Sequence, residues 1–452
     1  MENVIRLKKG LNIRMEGNAD GSLHAPTIFY EDYAVMPNDY YGLRPKLMVG
    51  KGDRVLAGSP LFYDKGEERI KICSPVSGLV SEIVYGPKRC IERIQIKAEE
   101  EISYIDFPTC EFSDLTREKV KENLLNAGLW SLIRQRPYEV IPNPDLTPRD
   151  IFISCFDTAP LAPDLDMIVY GREDAFQAGV NALSLLTDGK VHIGVHLQKT
   201  ASKAYLQCKN AEVHLFDGPH PCGNVGIQIH HIAPINKGEM LWFVHPQDVI
   251  IIGRLFMQGK YDATKIVALA GSEVVNSGYY KLISGVNVGY LLENNLQQKE
   301  HLRVVSGNVL TGRDIGAKGY LGVYDSLISV IPQGDRYRFL GWITLGMNTF
   351  SFSKTFFSWI FKDRFYKMDT NLNGGKRAFV FTGEFEKVLP MDIYPLQLIK
   401  ACITSDLEAM ENLGIYEVAP EDFALCEYID PSKTEIQQII RQGLDLIREE
   451  MN

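Results

Sequence analysis

The sequence predicts a multidomain α/β protein, and three observations support this prediction. The chain has 452 residues, which corresponds to roughly three domains at about 100–200 residues each. Short apolar runs separated by glycine turns dominate residues 1 to about 100 and return between about 256 and 335. The residues from about 115 to 255 instead alternate between strand and helix patterns.

The first region reads as a small β-sandwich. Turn glycines Gly50, Gly52 and Gly58 separate apolar pairs in "LMVGKGDRVLAGSPLF". Pro75 and Gly78 repeat this pattern in "SPVSGLVSEIVYG". Two similar halves predict a sandwich with internal pseudo-symmetry.

The second region reads as an α/β sheet. "LTREKVKENLLNAGLWSLI" has apolar residues at helical spacing, and "EDAFQAGVNALSLLTDG" predicts a helix that ends near Gly189. "DIFISCF" and "KVHIGVH" predict buried strands. Alternation of strand and helix is typical of a largely parallel sheet.

A small mixed sheet and a helical tail complete the chain. "KIVALAG", "YYKLISGV", "HLRVVSGNVLTG" and "DSLISVIP" predict the strands of the sheet. "LQLIKACITSDLEAMENLG" predicts one helix. "DPSKTEIQQIIRQGLDLIREE" predicts another, with Ser432 and Glu435 at capping-box spacing and Ile436, Ile439, Ile440 and Ile447 on one face.

Composition argues against several classes of protein. The net charge is −9 and no long basic run is present, which disfavours nucleic-acid binding. The start lacks the apolar run of a signal peptide, and "VIIIGRLFM" and "FFSWIF" are too short to span a bilayer. Eight cysteines without C-x-x-C spacing argue against a disulfide scaffold and a short-spaced zinc site. We therefore expect a cytoplasmic protein.

Lys65 lies before a Ser-Pro turn in "FYDKGEERIKICSPVSGLV", as the acceptor lysine does in lipoyl and biotinyl domains. The interval to Ser74 is longer than in lipoyl domains, and the charged "GEERIK" fills it. We expect the enlarged hairpin to place Lys65 away from its tip. An unmodified, solvated lysine is the favoured interpretation.

The segment "HLFDGPHPCGNVGIQIHHIAP" is rich in histidine and cysteine, which are metal ligands of intermediate softness. Its candidate ligands are His214, His220, Cys222, His230 and His231, with His245 nearby. On a strand, the adjacent His230 and His231 would point to opposite faces. We interpret the segment as a structural loop, with a metal site as the alternative.

Sequence motifs identify no catalytic residue. The chain contains neither G-x-G-x-x-G between a strand and a helix nor G-x-x-x-x-G-K-[ST], and "GGKRAF" reads as a loop. Spacing alone identifies no Ser-His-Asp triad.

Aromatic residues with interleaved cations fill "FSFSKTFFSWIFKDRFY". The pattern favours an interaction surface or membrane interface, with an ordinary core helix as the alternative. The candidate contact residues are Phe352, Phe356, Phe357, Trp359 and Phe361.

Several stretches together resemble one family, the A subunit of the Na+-translocating NADH:quinone reductase. They include "YYGLRPKLMVGKGDRV", "DTAPLAPD", "GPHPCGNVGIQIHHIAP", "RVVSGNVLTG" and "ALCEYIDPSKTE", in this order over nearly the whole chain. The resemblance implies four domains. They are a barrel-sandwich-hybrid (lipoyl-like) β domain at 1–105, a Rossmann-like α/β domain at 106–257, a β-grasp (SLBB-like) domain at 258–335, and an aromatic segment with a helical domain at 336–452.

The family is similar in turn to the flavin-binding subunit of respiratory complex I, which binds FMN, NADH and an iron–sulfur cluster. Where that subunit has its glycine-rich loop, this chain reads "NAGLWSLIRQRPYEVIP", with only Gly128 and with bulky residues such as Trp130. Where it has cluster cysteines, Cys426 is alone and Asp430 precedes Pro431. Since a four-iron cluster needs four ligands, we expect no flavin, iron–sulfur centre or metal in this chain.

The resemblance implies a peripheral subunit on the cytoplasmic face of the bacterial inner membrane, part of a complex that passes electrons from NADH to ubiquinone or menaquinone and exports Na+. FMN, FAD, riboflavin and iron–sulfur centres would belong to partner subunits. This chain would chiefly contact the B subunit, which lies in the membrane.

We expect a candidate quinone slot at the cleft that corresponds to the flavin site, where residues 36–44 would face residues 130–138. Its candidate residues are Tyr40, Tyr41, Arg44, Trp130, Arg134 and Arg136. They offer aromatic faces and hydrogen-bond donors, which a quinone headgroup requires. The alternative is that they only hold two domains together.

Two other protein classes remain as alternatives. One is a flavin- and NADH-binding dehydrogenase subunit like that of complex I. The other is a carrier of lipoate or biotin on Lys65.

Overall fold

A computed structural model describes residues 4–24, 29–110, 112–334, 341–380 and 382–451. The first strands are β1 (Val4–Arg6), β2 (Leu23–His24), β3 (Asp32–Val35), β4 (Pro45–Leu47), β5 (Arg54–Val55), β6 (Pro60–Asp64), β7 (Glu67–Cys73), β8 (Gly78–Tyr85) and β9 (Ile91–Ala98). Two sheets, β3-β9-β8-β5 and β4-β6-β7, form the predicted sandwich. Leu61, Phe62, Ile72, Val80, Ile94 and Ile96 fill its core.

The first two strands join other sheets. β1 pairs in parallel with a strand that contains Leu215, and β2 pairs with one that contains Tyr279. The sandwich itself therefore begins at β3, although the resemblance implies one domain over residues 1–105. The N-terminal segment ties the later domains together, and the four domain bounds stay predictions.

The second region forms a six-stranded sheet. Its elements are α1 (Arg117–Asn126), β10 (Arg134–Arg136), β11 (Ile151–Ser154), α2 (Leu165–Val169), α3 (Glu173–Ser184), β12 (Val191–His196), α4 (Lys203–Leu206), β13 (Glu212–Asp217), α5 (Val225–Ile232), β14 (Leu241–Phe243) and α6 (Pro246–Gln258). The strand order is β1-β13-β12-β11-β14-β10, parallel except for β10. The α/β prediction is confirmed, while α3 ends at Ser184, earlier than Gly189.

The third region is the predicted small mixed sheet. Its elements are β15 (Thr264–Ala270), β16 (Gly278–Ile283), α7 (Gly289–Leu292), β17 (Leu302–Ser306), β18 (Arg313–Asp314) and β19 (Leu327–Pro332). The strand order is β18-β17-β19-β15-β16-β2.

The C-terminal region is helical, as predicted, but its helix boundaries differ. Its helices are α8 (Phe385–Val388), α9 (Pro395–Thr404), α10 (Leu407–Asn412), α11 (Ala424–Ile429) and α12 (Ile436–Met451). The single helix predicted over "LQLIKACITSDLEAMENLG" is wrong. Ser405 has φ +55°, and the Asp406 side chain accepts a hydrogen bond from Ala409 N at 3.0 Å, so a new helix starts there.

The capping box predicted from Ser432 and Glu435 is also wrong. α12 begins at Ile436, beyond the reach of a cap at Ser432, and the Ser432 hydroxyl donates to Ala378 O at 3.1 Å. Glu427 of α11 instead accepts from Gln437 N at 2.8 Å. Ile436, Ile440 and Ile447 are buried on one face, as predicted, whereas Ile439 is only half-buried.

No helix within the described residues has both the length and the apolar composition that crossing a bilayer requires.

Helices α3 and α6 cross at two glycines. A Cβ at Gly253 of α6 would overlap the carbonyl oxygen of Ala175, and one at Gly179 of α3 would overlap that of Val249. The two backbones therefore approach more closely than larger residues would permit.

We predict that Gly253→Ala lowers the free energy of unfolding by about 1–3 kcal/mol, because overpacking outweighs the better helix propensity of alanine. Gly375→Ala is the matched control, since a Cβ added there would meet no atom within 4 Å and its φ is not positive. Thermal and urea unfolding measure the effect. Unchanged stability of Gly253→Ala would contradict the close crossing.

Candidate functional site

A cavity of about 190 Å³ lies where all four regions of the chain meet. We call it the junction cavity. It is lined by Asp39, Tyr41, Arg134, Glu139, Ile141, Tyr324 and Arg441. The segment after β3, the hairpin from β10 to residue 141, the loop before β19 and helix α12 each contribute side chains.

Arg134 forms one wall of the junction cavity. Its guanidinium lies over the Phe243 ring at 4.4 Å and over the Tyr324 ring at 4.7 Å. Its Nη1 donates to Glu139 Oε1 at 3.3 Å, which uses one of five N–H donors. Two aromatic faces thus fix the guanidinium plane and leave it capacity to bind an acceptor.

Arg441, on α12, also lines the junction cavity. Its guanidinium lies 4.2 Å from the centre of the Tyr41 ring. It donates to Tyr138 O at 2.7 Å and to Glu139 Oε2 at 2.8 Å. Tyr41 in turn donates to Asp445, and burial together with that carboxylate raises the pKa of Tyr41 to about 12.

Glu139 bridges the two arginines. Burial acts to raise its pKa, but the charges of Arg136, Arg134 and Arg441 outweigh burial, and the pKa lies below its ordinary value. Glu139 also has φ +60°, next to Tyr138 with φ +78°. Such backbone costs on the order of 1–3 kcal/mol per residue and persists only where its surroundings hold it. The hydrogen bonds from Arg441 to Tyr138 O and Glu139 Oε2 hold this backbone in place.

A buried ionic contact lies at Arg136, two residues after Arg134 on β10. The Arg136 side chain has 0% exposure; its Nη2 lies 2.6 Å from Glu421 Oε1 and its Nη1 3.4 Å from Asp422 Oδ2. Burial raises the pKa of Asp422 above its ordinary value and that of Glu421 to about 7, although Arg136 opposes both shifts. Gly226 of α5 makes room for the Asp422 carboxylate.

The structure brings together only part of the predicted quinone slot. Tyr41 and Arg134 line the junction cavity. Tyr40 is buried beside it, with edge contacts to Phe62 and Tyr324 at 6.1 Å. Segments 36–44 and 130–138 therefore do meet near one cavity.

The other three predicted residues lie outside the cavity. Arg44 is exposed, and its backbone N donates to Asp64 at the β6–β7 hairpin. Trp130 is fully buried, with its indole N–H on Pro142 O at 2.8 Å and its ring against Trp242. Arg136 lies in the ionic contact described above.

Five lining residues were not among the predicted slot residues: Asp39, Glu139, Ile141, Tyr324 and Arg441. Glu139 and Ile141 lie within the quoted segment "NAGLWSLIRQRPYEVIP", just beyond residues 130–138, so their position in the sequence was a usable signal. Tyr324 and Arg441 come from distant parts of the chain. No local pattern marks them, because only the tertiary fold brings them together.

The residues at the position of the flavin loop do not fit a flavin or dinucleotide. Gly128 has φ +74°, and a Cβ there would lie 2.6 Å from Cys73 Sγ. Its bare backbone therefore packs against the sandwich domain. Trp130, Leu132 and Ile133 after it are buried, so bulky side chains occupy this region.

The residues at the position of the iron–sulfur ligands do not fit a cluster either. Cys426 is fully buried, and burial raises the pKa of its thiol. Asp430 accepts from Ser432 N at 3.0 Å and Thr434 N at 2.9 Å, and so stabilises the turn before α12. Among the described residues, the one candidate group of metal ligands contains no cysteine.

Lys65 lies at the tip of its hairpin, so the predicted displacement from the tip is wrong. β6 ends at Asp64, β7 begins at Glu67, and Lys65 and Gly66 form the exposed turn between them. The pairing shifts from Tyr63↔Lys71 to Asp64↔Glu67, so a bulge in β7 takes up the extra residues. The interpretation of Lys65 as unmodified therefore rests on the family resemblance.

The histidine-rich segment is divided among separate contacts. His230 and His231 lie on helix α5, so the assumed strand geometry is wrong. His230 Nδ1 contacts Glu417 at 2.7 Å and His231 Nε2 contacts Pro390 O at 2.9 Å, which join α5 to the C-terminal region. His214 lies apart from them on β13.

The three remaining candidate ligands also lie in separate surroundings. They are His220, Cys222 and His245. His220 Nδ1 lies 3.1 Å from the Thr158 hydroxyl, and Cys222 is fully buried. The His245 side chain caps α6 by accepting from Gln247 N at 3.3 Å.

The aromatic segment is mostly irregular, with one short 3-10 helix at Phe357–Ile360. Phe357 and Trp359 are each 49% exposed and Phe361 is 42% exposed. Phe352 and Phe356 are half-buried. The core-helix alternative does not hold, and the segment presents apolar surface to solvent.

Comparison with known proteins identifies near full-length relatives. Family models match at residues 5–99 (NqrA N-terminal barrel-sandwich hybrid domain), 115–261 (NqrA second alpha/beta domain) and 266–316 (NQRA C-terminal domain). These matches confirm the predicted fold class.

The chain is 37% identical over 450 residues to the A subunit of the Na(+)-translocating NADH-quinone reductase of Pasteurella multocida (strain Pm70), covering 99% of this chain and 100% of that protein. It is 34% identical over 454 residues to the protein of the same name from Vibrio alginolyticus, with the same coverage. A solved NAD+-reducing [NiFe]-hydrogenase aligns at a TM-score of 0.36 and 14% identity over 50% of this chain and 48% of its own.

We predict that His245 contributes to acid sensitivity. Burial, helped by Lys265 and Arg134, lowers its pKa to about 3 from 6.5. The unfolded chain therefore binds an extra proton between these values, and stability is lost as pH falls below about 6.5. His245→Asn keeps a capping side chain but does not titrate.

This variant should lose less stability than the wild type on acidification, by about 1 kcal/mol per pH unit between pH 6 and 4. Denaturant unfolding at several pH values measures the difference. The comparison at pH 8, where the histidine is neutral in both states, is the internal control. Parallel pH profiles would contradict the assignment.

Proposed function

The chain belongs to the family of the A subunit of the Na+-translocating NADH-quinone reductase, and on this basis we propose that it is a peripheral subunit of such a complex on the cytoplasmic face of a bacterial inner membrane. The complex couples NADH oxidation and quinone reduction to Na+ export. The observation that carries this proposal is identity of 37% over 99% of the chain. The chain itself would act within the assembly and would not catalyse the reaction alone.

We propose that the flavins and iron–sulfur centres of the complex, including FMN, FAD and riboflavin, lie in partner subunits. The packing of Gly128 on Cys73 and the isolated, buried Cys426 support this. A flavin or dinucleotide phosphate needs exposed backbone N–H groups, and this part of the chain is filled by side chains.

The junction cavity is our candidate for the contact with ubiquinone or menaquinone. Quinone carbonyls are acceptors, and Arg134 and Arg441 are donors that line the same cavity. The rings of Tyr41 and Tyr324 line the same cavity and offer aromatic surface for contact with a planar headgroup. Negative charge that develops on the quinone oxygens during reduction would be stabilised by the two guanidinium groups.

The alternative is that the same residues only clamp the domains together. Glu139 balances much of the positive charge of Arg134 and Arg441, to which it is hydrogen-bonded. Asp39 is paired with Arg313 at 2.8 Å. If these residues only hold the domains together, substituting them lowers the stability of the protein but leaves its affinity for quinone unchanged. The two hypotheses therefore differ in a measurable way.

The aromatic segment is our candidate for contact with a membrane partner, for which the B subunit of the complex is expected. Phe357, Trp359 and Phe361 expose apolar surface beside Lys362 and Arg364. Exposed apolar patches with polar rims mark interaction sites. A membrane-facing surface with interleaved cations also suits contact near anionic headgroups.

We predict that Arg134→Met or Arg441→Met weakens quinone binding by the purified chain about 10- to 100-fold, the worth of one charge-assisted hydrogen bond. In the assembled complex, the same changes should raise the KM for quinone. Arg44→Met is the matched control, because Arg44 lies outside the cavity.

Binding is measured with a water-soluble short-chain quinone, and thermal unfolding is recorded for each variant. If Arg134→Met loses stability but binds quinone like the wild type, the clamp hypothesis holds and the quinone site is refuted. An equal loss of binding in Arg44→Met would also count against the junction cavity.

We predict that the double variant Trp359→Ser, Phe361→Ser reduces retention of this chain in the purified complex, because it removes two exposed apolar contacts. Tyr170→Ser is the control, since Tyr170 is 78% exposed but lies in the α/β domain. Co-purification with a tagged membrane partner measures retention. Full retention of the double variant would argue against this surface.

A further inference from the structure

Two strands of the α/β sheet bring three metal-ligating side chains together, away from the junction cavity. His192 lies on β12, and Glu212 and His214 lie on β13. Within the part of the chain that the structure describes, this is the one group of three such residues whose ligand atoms all lie within 4.8 Å of one another. We propose that it is a binding site for one divalent transition-metal ion such as Zn²⁺.

Strand geometry places the three side chains on one face. Glu212 and His214 are two residues apart on β13, so they point the same way. His192 pairs in parallel register with Glu212, which sets it beside them. His192 Nδ1 lies 2.9 Å from His214 Nε2. Two zinc-bound nitrogens at about 2.0–2.1 Å from the ion lie slightly farther apart, so a small rotation of one imidazole admits the ion.

The proton arrangement suits a metal ligand. Asp150 Oδ1 lies 3.5 Å from His192 Nε2 and favours the proton on that nitrogen. The lone pair of Nδ1 then points toward His214. A carboxylate behind a ligating histidine is the usual second partner of metal-bound imidazoles. Phe152 stacks on the His192 ring at 4.7 Å and helps to hold its plane.

The ion would replace the hydrogen bond between the two histidines. Binding requires a lone pair on both facing nitrogens and an ionised carboxylate. Because His192 Nδ1 and His214 Nε2 share one proton, that proton moves to His214 Nδ1 when the ion enters. Two histidines and a carboxylate leave a fourth position open, as in three-ligand zinc sites.

Lys190 is the competitor for this site. Its Nζ lies 2.6 Å from Glu212 Oε2, but the Lys190 side chain is 67% exposed. Exposed ion pairs contribute about 0–1 kcal/mol, so a metal ion can displace the lysine. Glu212 is itself 46% exposed, which gives an ion a path from solvent.

The test is a Co²⁺ titration of the full chain after chelator treatment, followed by visible d–d absorption and then by displacement with Zn²⁺. We expect one Co²⁺ per chain. His214→Gln and Glu212→Gln should each lower affinity at least about tenfold, and Asp150→Asn about 10- to 100-fold through loss of ligand orientation. His231→Gln is the control, because His231 lies on α5 outside the cluster.

Thermal unfolding in the presence of chelator confirms that each variant is folded. Glu212→Gln is the variant least expected to disturb folding, because the Glu212 side chain is partly exposed to solvent. Absence of stoichiometric Co²⁺ binding by the wild type would overturn the proposal. Binding by His214→Gln and Glu212→Gln at wild-type affinity would overturn it as well, since the ion would then lie elsewhere. A plain hydrogen bond between two neutral histidines would account for either result.

Discussion

The buried charge of Arg136 is the constraint on which much of the architecture depends. Its guanidinium is shielded from solvent and is balanced by Glu421 and Asp422, which belong to the C-terminal region. Removing one partner of a buried ion pair costs about 3–5 kcal/mol, because the other charge remains buried and unpaired. The α/β domain therefore requires the C-terminal region to be docked against it.

The docked C-terminal region also contributes part of the lining of the junction cavity. With the C-terminal region in place, α12 delivers Arg441 to the strained turn at Tyr138 and Glu139. The segment after β3 supplies Tyr41, whose ring packs on Arg441, and β1 and β2 pair with the second and third sheets. A molecule in the cavity would contact every region at once. Such a position suits a protein whose role is to hold a substrate against its partners.

The two proposed sites lie at different places on one sheet. The junction cavity borders β10, at one edge of the order β1-β13-β12-β11-β14-β10, whereas the histidine pair spans β12 and β13. The sheet holds both sets of side chains on rigid backbone. Metal binding and quinone binding can therefore be tested separately, and failure of one leaves the other standing.

The order of domains, the α/β alternation and the apolar face of α12 were all readable from the sequence, because they depend on local periodicity and turn residues. Three features were not readable in this way. The helix break at Ser405 depends on its left-handed backbone conformation, and the position of Lys65 at the hairpin tip depends on a bulge in β7. The start of α12 depends on a hydrogen bond that a side chain of α11 accepts. Of the site, the sequence indicated Tyr41 and Arg134. Only the tertiary structure added Tyr324 and Arg441 and joined His192 to His214, since residues far apart in the chain become neighbours through packing that no local pattern encodes.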